Sequence, residues 1–421
     1  MTGTEKASAR LLAVDVGTLS ARAGLFDARG QLVSVASAPF ELMRPAEHHA
    51  VYRMDAIWDA VKHAVAGCLA DAGTERAHVA ALAFDATSSL CLEAEGAPPV
   101  DGVGDVVCWM DHRGEAEAAE INAGGHPFLR YLGGAISPEM HLPKLLRLHR
   151  EDPALLSRVT VIRDLCDELA VRATGVAWHS VCGLACKWPY LPGEAEPWRL
   201  DLLESVGLGR LPSVGTLRER PGHVGARHGP VSAKGACDLG IPQGTPVAVG
   251  LIDAEAGALG GLGAGFRERM NRVFPMIGGT SSNFMPFAPE PRHVPGVWGP
   301  FRDAVFPGYW MHEGGQSLSG AALDAVLANH PASPAKRPSP EAHAAAAKAA
   351  LALMEAEGPA FAAARHIVPD WLGNRSPLGD GRVRALMTGI GVEDSVRSFH
   401  ETYFATARAL ALQSRHVAEH L

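Results

Sequence analysis

The 421-residue sequence has no Gly-x-x-x-x-Gly-Lys-Ser/Thr segment, which excludes a P-loop nucleotide site. No Gly-x-Gly-x-x-Gly opens a helix after the first predicted strand, which argues against a dinucleotide fold. Gly-x-Ser-x-Gly and His-Glu-x-x-His are absent too, and with them the serine-hydrolase elbow and the zinc-peptidase helix. No run of about 18 uncharged apolar residues exists, so no membrane partner is expected. Residues 1–9 are polar and lack the apolar stretch of a secretory leader. Positive charge is short: 38 Lys and Arg against 46 Asp and Glu give a net charge of −8, the wrong sign for a nucleic-acid partner. The seven cysteines are scattered and odd in number, as expected of reduced thiols in a cytoplasmic protein. Cys182 and Cys186 lie four apart without a second pair at zinc spacing and read as core thiols.

What is present is enough apolar material, 47% of the chain, for more than one core, and the length predicts two domains. The opening, Leu11-Leu12-Ala13-Val14-Asp15-Val16-Gly17-Thr18-Leu19-Ser20-Ala21-Arg22, reads as strand, tight turn and strand. Gly17 lets the backbone come close to a ligand, and Thr18, Ser20 and the turn amides offer donors to an anion. Asp15 repels phosphate but is suited to hold Mg²⁺, directly or through water, against phosphate oxygens.

Further along, a strand is predicted over Leu32–Pro39, a helix over Met54–Gly67, and strands over Val79–Phe84, Val106–Trp109 and Pro246–Ile252. A small-residue helix and a glycine hinge are expected within 254–263. A strand over Arg272–Ile277 then runs into Gly278-Gly279-Thr280-Ser281-Ser282, a second glycine-hydroxyl loop. Asn329–Pro340 reads as a surface insertion before a helix over Ala342–Glu357, and the tail from His400 is helical in pattern. Polar, chemically able residues fall directly after apolar strands at Asp15, Asp85, Asp111, Asp253 and Thr280. Strand ends are where α/β sheets collect ligands.

These segments resemble the FGGY carbohydrate kinases of the actin, hexokinase and Hsp70 superfamily. Val14–Thr18 with Ser20 and Arg22 resembles the first phosphate motif, Ile277–Ser282 the second, and Gly250–Gly257 the stretch with the catalytic aspartate. Phe84–Thr87, Trp109–Arg113, Ile136–Met140, Pro143–Leu146, Cys186–Trp188, Val294–Pro300 and Glu313–Ser317 resemble the pentulose-kinase, D-ribulokinase-like branch. Arg147 departs from it, standing where a tryptophan is common.

The resemblance implies a two-domain actin/hexokinase-like (ribonuclease H-like) α/β fold, with an N-terminal domain over 1–264 and a C-terminal domain over 265–421. Similar kinases continue past the Gln413–His416 helix into strands and a Gly-rich adenosine loop, so the second domain is expected to be incomplete. Phosphoryl transfer from ATP to a sugar hydroxyl is implied, with Asp253 as general base. Asp15, Gly17, Thr18, Ser20, Arg22, Gly279, Thr280 and Ser281 would serve ATP and Mg²⁺. Asp85, Ala86, Trp109, Asp111, Lys187 and Glu313 would contact the sugar. For Asp111 and Arg113 an internal salt bridge is the other reading, and for Asp253 a helix cap. The expected partners are a small sugar and ATP, with a homodimer left open. A non-catalytic remnant that binds sugar or protein, and a kinase for ribitol, xylulose or glycerol, stand as alternatives.

Overall fold

Leu12, Val14 and Val16 alternate with more exposed neighbours, and the chain around them forms strand β1 (Arg10–Val16) with that row buried. The computed structural model describes residues 9–72, 79–96, 98–263, 265–270, 272–392 and 394–421. Most of the polar N-terminal stretch (residues 1–8) and the expected domain boundary at Ala264 lie outside the described residues. β2 (Ser20–Asp27) and β3 (Leu32–Pro39) continue β1 as an antiparallel meander. Helix α1 (Met54–Asp71) lies against this meander and buries Ile57, Val61, Ala64, Val65 and Cys68, the five positions its spacing selects. Its first amide, Met54 N–H, is taken by Asp105 Oδ1 at 2.6 Å, since Arg53 before it offers no cap.

β4 (Val79–Ala86) runs parallel to β1. With β5 (Arg227–Pro230), β6 (Pro246–Ala248) and β7 (Leu251–Ile252) it completes a sheet ordered β5-β6-β4-β1-β2-β3, in which β7 also pairs with β4. The single strand expected over Pro246–Ile252 is thus two. Val249 N–H bonds the Ala226 carbonyl, and Gly250 passes so near β4 that a Cβ there would lie 2.5 Å from the Phe84 carbonyl oxygen. Other boundaries shift for similar local reasons. After Val107 the chain turns, with Asp111 N–H bonding the Cys108 carbonyl. Val273 N–H bonds back to Arg269, and Pro275 has no donor, so strand pairing waits until Met276.

Two helices pack against β7: α2 (Val181–Lys187) and α3 (Asp253–Leu262). Gly260 and Gly261, expected in a hinge, continue α3, and the break comes at Gly263, where φ is 64°. A second, antiparallel sheet contains β8 (Met276–Gly278), β9 (Ser282–Phe284) and β10 (Trp310–Gln316). α4 (Gly320–Asn329) follows it, and α5 (Val396–His420) lies across β10. A Cβ on Gly314 would come 3.0 Å from Val417, so the bare backbone there sets how closely α5 approaches. One apolar core lies between the first sheet and α1, and a larger one joins Leu142, Leu145 and Trp188 to Met285, Phe301 and Met311. Among the described residues no helix is long and apolar enough to cross a membrane.

Candidate active site

Strand register builds the site. Asp15 of β1 sits directly beside Asp85 of β4, and Asp85 beside Leu251 of β7, with both pairs parallel. Two residues past Leu251 the chain reaches Asp253, the first residue of α3. Three carboxylates therefore stand at the carboxyl ends of three neighbouring strands, lining a cavity of about 630 Å³. The β8–β9 loop, from Gly278 to Ser281, closes the cavity from the other sheet. Both glycine-hydroxyl loops thus face one space. Each is held by backbone: Gly17 N–H bonds Ser20 O at 3.1 Å, Gly279 N–H bonds Ser281 O at 2.8 Å, and Ser319 N–H, before α4, bonds Thr280 O at 2.8 Å.

The carboxylates strain against one another. Burial, then repulsion from Asp15 and Asp253, pushes Asp85 up to about 8. Burial raises Asp253 to about 6, against the pull of the Ala254 N–H that its Oδ1 accepts at 2.8 Å. The folded protein therefore holds protons that the unfolded chain releases at lower pH. Its stability falls as pH rises from the ordinary carboxylate range through those two values. The melting temperature of the ligand-free protein is expected to drop between about pH 5 and about pH 8, and Asp85→Asn to flatten that slope. Differential scanning calorimetry across the range checks it. The three strand-end carboxylates and the hydroxyls of Thr18, Thr280 and Ser281 offer oxygen ligands, which fits a hard cation such as Mg²⁺.

The opposite wall carries compensated charge. Lys187, the last residue of α2, lies 5.2 Å over the Trp298 ring, and Arg375 lies 5.5 Å over the same ring. Burial disfavours the Lys187 cation, but Glu313, Glu139 and Glu255 outweigh it and raise its pKa. Burial likewise disfavours the Glu139 carboxylate, but Arg375, His112 and Lys187 hold it at about 2. Arg375 also donates to Asn283 Oδ1 at 2.8 Å. Glu255, beside Glu313 and deeply buried, is pushed up to about 8.

Of the residues singled out in the sequence, Asp15, Gly17, Thr18, Arg22, Asp85, Trp109, Lys187, Asp253, Gly279, Thr280, Ser281 and Glu313 line the cavity. Thr18 Oγ1 accepts from Trp109 Nε1 at 3.1 Å, and Arg22 is paired with Asp15 at 2.9 Å. Three do not reach the wall. Ser20 holds the turn through its carbonyl, and Ala86 is buried in the first core. Asp111 is a correction: it is 0% exposed and wholly engaged by Arg113 and by the Ala50 and Arg113 amides, so it shapes the loop behind Trp109 instead of facing a ligand. Glu139, Glu255, Asn283, Trp298 and Arg375 belong to the wall and were not singled out. The signal for Glu255 and Trp298 lay in segments already notable, whereas Arg375 arrives on a loop with no motif.

Gly250 is what lets β7 approach β4 and deliver Asp253. Gly250→Ala would force its methyl into the Phe84 carbonyl, and a loss of about 1–3 kcal/mol of stability is expected, which urea denaturation checks.

Comparison with known proteins follows the same outline. Residues 10–260 match the N-terminal domain, and residues 276–421 the C-terminal domain, of the FGGY family of carbohydrate kinases. The chain is 36% identical to an FGGY carbohydrate kinase domain-containing protein of Danio rerio, over 96% of this chain and 78% of that protein. It is 31% identical to a D-ribulokinase of Saccharomyces cerevisiae, over 96% of this chain and 63% of that one. The crystal structure of xylulose kinase from Rhodospirillum rubrum superposes with a TM-score of 0.73 at 22% identity, covering 97% of this chain and 78% of that one.

Proposed function

The chain belongs to the FGGY family of carbohydrate kinases and has their two-domain, actin- and hexokinase-like α/β fold, and from that premise we propose that it transfers the γ-phosphoryl group of ATP to a hydroxyl of a pentulose such as ribulose. The observation that carries this reading is the cavity itself, where three strand-end carboxylates meet two glycine-hydroxyl loops. Such transfer needs little covalent help from the protein; it needs positioning and charge neutralisation.

In this reading the two lobes are residues 1–264 and 265–421, and the cleft between them holds both substrates. Asp253 accepts the proton of the attacking hydroxyl as its oxygen bonds to phosphorus and the bond to ADP breaks. Its raised pKa, about 6, makes it a stronger base than a free carboxylate while leaving it ionised at neutral pH. Backbone amides of Thr18, Thr280 and Ser281, with the hydroxyls of the same three residues, cradle the phosphates. Asp15 would hold Mg²⁺, directly or through water, and the ion supplies charge neutralisation there. Asp85, Lys187 and Glu313 bind sugar hydroxyls, and Trp109 and Trp298 offer apolar faces to its C–H side. The relatedness to a D-ribulokinase favours a pentulose.

The test is ADP release with D-ribulose, L-ribulose, xylulose, ribitol and glycerol. The highest kcat/KM is expected on a ribulose. A clear preference for ribitol, xylulose or glycerol would overturn the substrate, and no ADP release with any of them, while calorimetry still shows sugar binding, would overturn the kinase.

A further inference from the structure

Two buried thiols converge on Glu255, a carboxyl group of the cavity wall to which the proposed phosphoryl transfer assigns no step. Cys182 and Cys186 stand four residues apart on α2, hence on one face of it. Glu255 reaches them from the first turn of α3. The two sulfurs and one carboxylate oxygen lie within 4.8 Å of one another, and all three residues are buried. The other independent sign is an orphan: Glu255 Oε2 is buried without a hydrogen-bond partner. Leaving such an oxygen unmatched is costly, and folded proteins rarely do so without a reason. Lys187, next in the chain, is extended over Trp298.

We propose that Cys182, Cys186 and Glu255 form a binding site for one thiophilic divalent cation of the Zn²⁺ class. Two sulfurs and one oxygen suit Zn²⁺ or Cd²⁺ and are a poor match for Mg²⁺, so this site is chemically distinct from the strand-end carboxylates. Tetrahedral bonds of about 2.0–2.3 Å are within reach of these three groups after a small side-chain adjustment. A way in exists, because Glu255 also lines the large cavity, so an ion entering there meets its carboxylate first and the sulfurs behind it. On binding, each thiol and the Glu255 carboxyl group release their protons to solvent as they bond the metal, and no oxidation state changes. The fourth ligand is water from the cavity.

The readout needs neither sugar nor nucleotide. Cys237, the exposed cysteine among the described residues, is first replaced (Cys237→Ser) so that it cannot report. Reduced protein is titrated with Cd²⁺ and the ultraviolet sulfur-to-metal charge-transfer band followed, then displaced with Zn²⁺. One equivalent per chain is expected, with the band lost in the Cys182→Ala/Cys186→Ala double variant and affinity lowered about tenfold or more by Glu255→Gln. No thiolate band, or an equal band in the double variant, would overturn the site. Should the double variant not fold, thermal melts decide: Zn²⁺ is expected to raise the melting temperature of the parent by more than that of Glu255→Gln at the same concentration, and equal shifts in both would overturn it.

Discussion

Asp253→Asn is expected to lower kcat by about 10²–10⁴-fold while sugar binding stays within a few-fold of the parent. Asparagine keeps the size of the side chain and an oxygen for the Ala254 N–H, so the start of α3 is retained. What is lost is the negative charge and the basic oxygen. If Asp253 were only a helix cap, asparagine, an equally good cap, would leave turnover almost unchanged. The two roles therefore separate cleanly in one substitution. A second signature follows from the raised pKa. In the parent, kcat/KM is expected to fall as pH drops through about 6, where Asp253 takes up a proton before substrate binds, and that limb is expected to vanish in the variant. ADP release across pH, with sugar affinity from calorimetry, measures all of this. Turnover within about tenfold of the parent, with the acid limb intact, would remove Asp253 from the proton transfer.

The parts of the fold that could be read in the sequence are those where local pattern and tertiary demand coincide. The spacing of Ile57, Val61 and Cys68 names the buried face of α1 because a single apolar stripe meets a single sheet. Strand ends at Asp15 and Asp85 were legible for the same reason, since an apolar run stops at each. The register that sets those two side by side is a pairing between strands more than sixty residues apart, and one chain does not announce it. The break in the strand before Asp253 was hidden because its cause, the Phe84 carbonyl, belongs to another strand. Arg375 was hidden for a similar reason: its partners Asn283, Glu139 and Trp298 come from three distant segments. Cys182 and Cys186 are buried, as their apolar surroundings implied, but the carboxyl group that meets them comes from α3. A polar residue after a strand is only a candidate, and which way it faces is decided by what else wants it.

Asp111 is the sharpest instance, and its replacement should cost stability where a ligand residue would cost affinity. Its carboxylate accepts from Arg113 Nε and Nη2, both at 2.8 Å, and from the Ala50 N–H at 2.7 Å. Burial would raise its pKa, but Arg113 and the two amides outweigh that and hold it below the usual carboxylate range. Its charge also favours the buried Lys144, whose Nζ donates to the carbonyls of Cys108 and Trp109. Asp111→Ala leaves two buried cations short of one anion and the Ala50 amide without its acceptor. Asp101, 2.9 Å from Arg113, can answer only part of that. A destabilisation of about 3–5 kcal/mol is expected, the cost of breaking a buried ion pair from one side. Urea denaturation gives the stability, and kinetics at a temperature where the variant remains folded give the sugar KM. A lowered midpoint with KM within a few-fold of the parent is the structural outcome. An unchanged midpoint with a steep rise in KM would return Asp111 to the sugar, and would mean that the loop carrying Trp109 opens further than its hydrogen bonds imply.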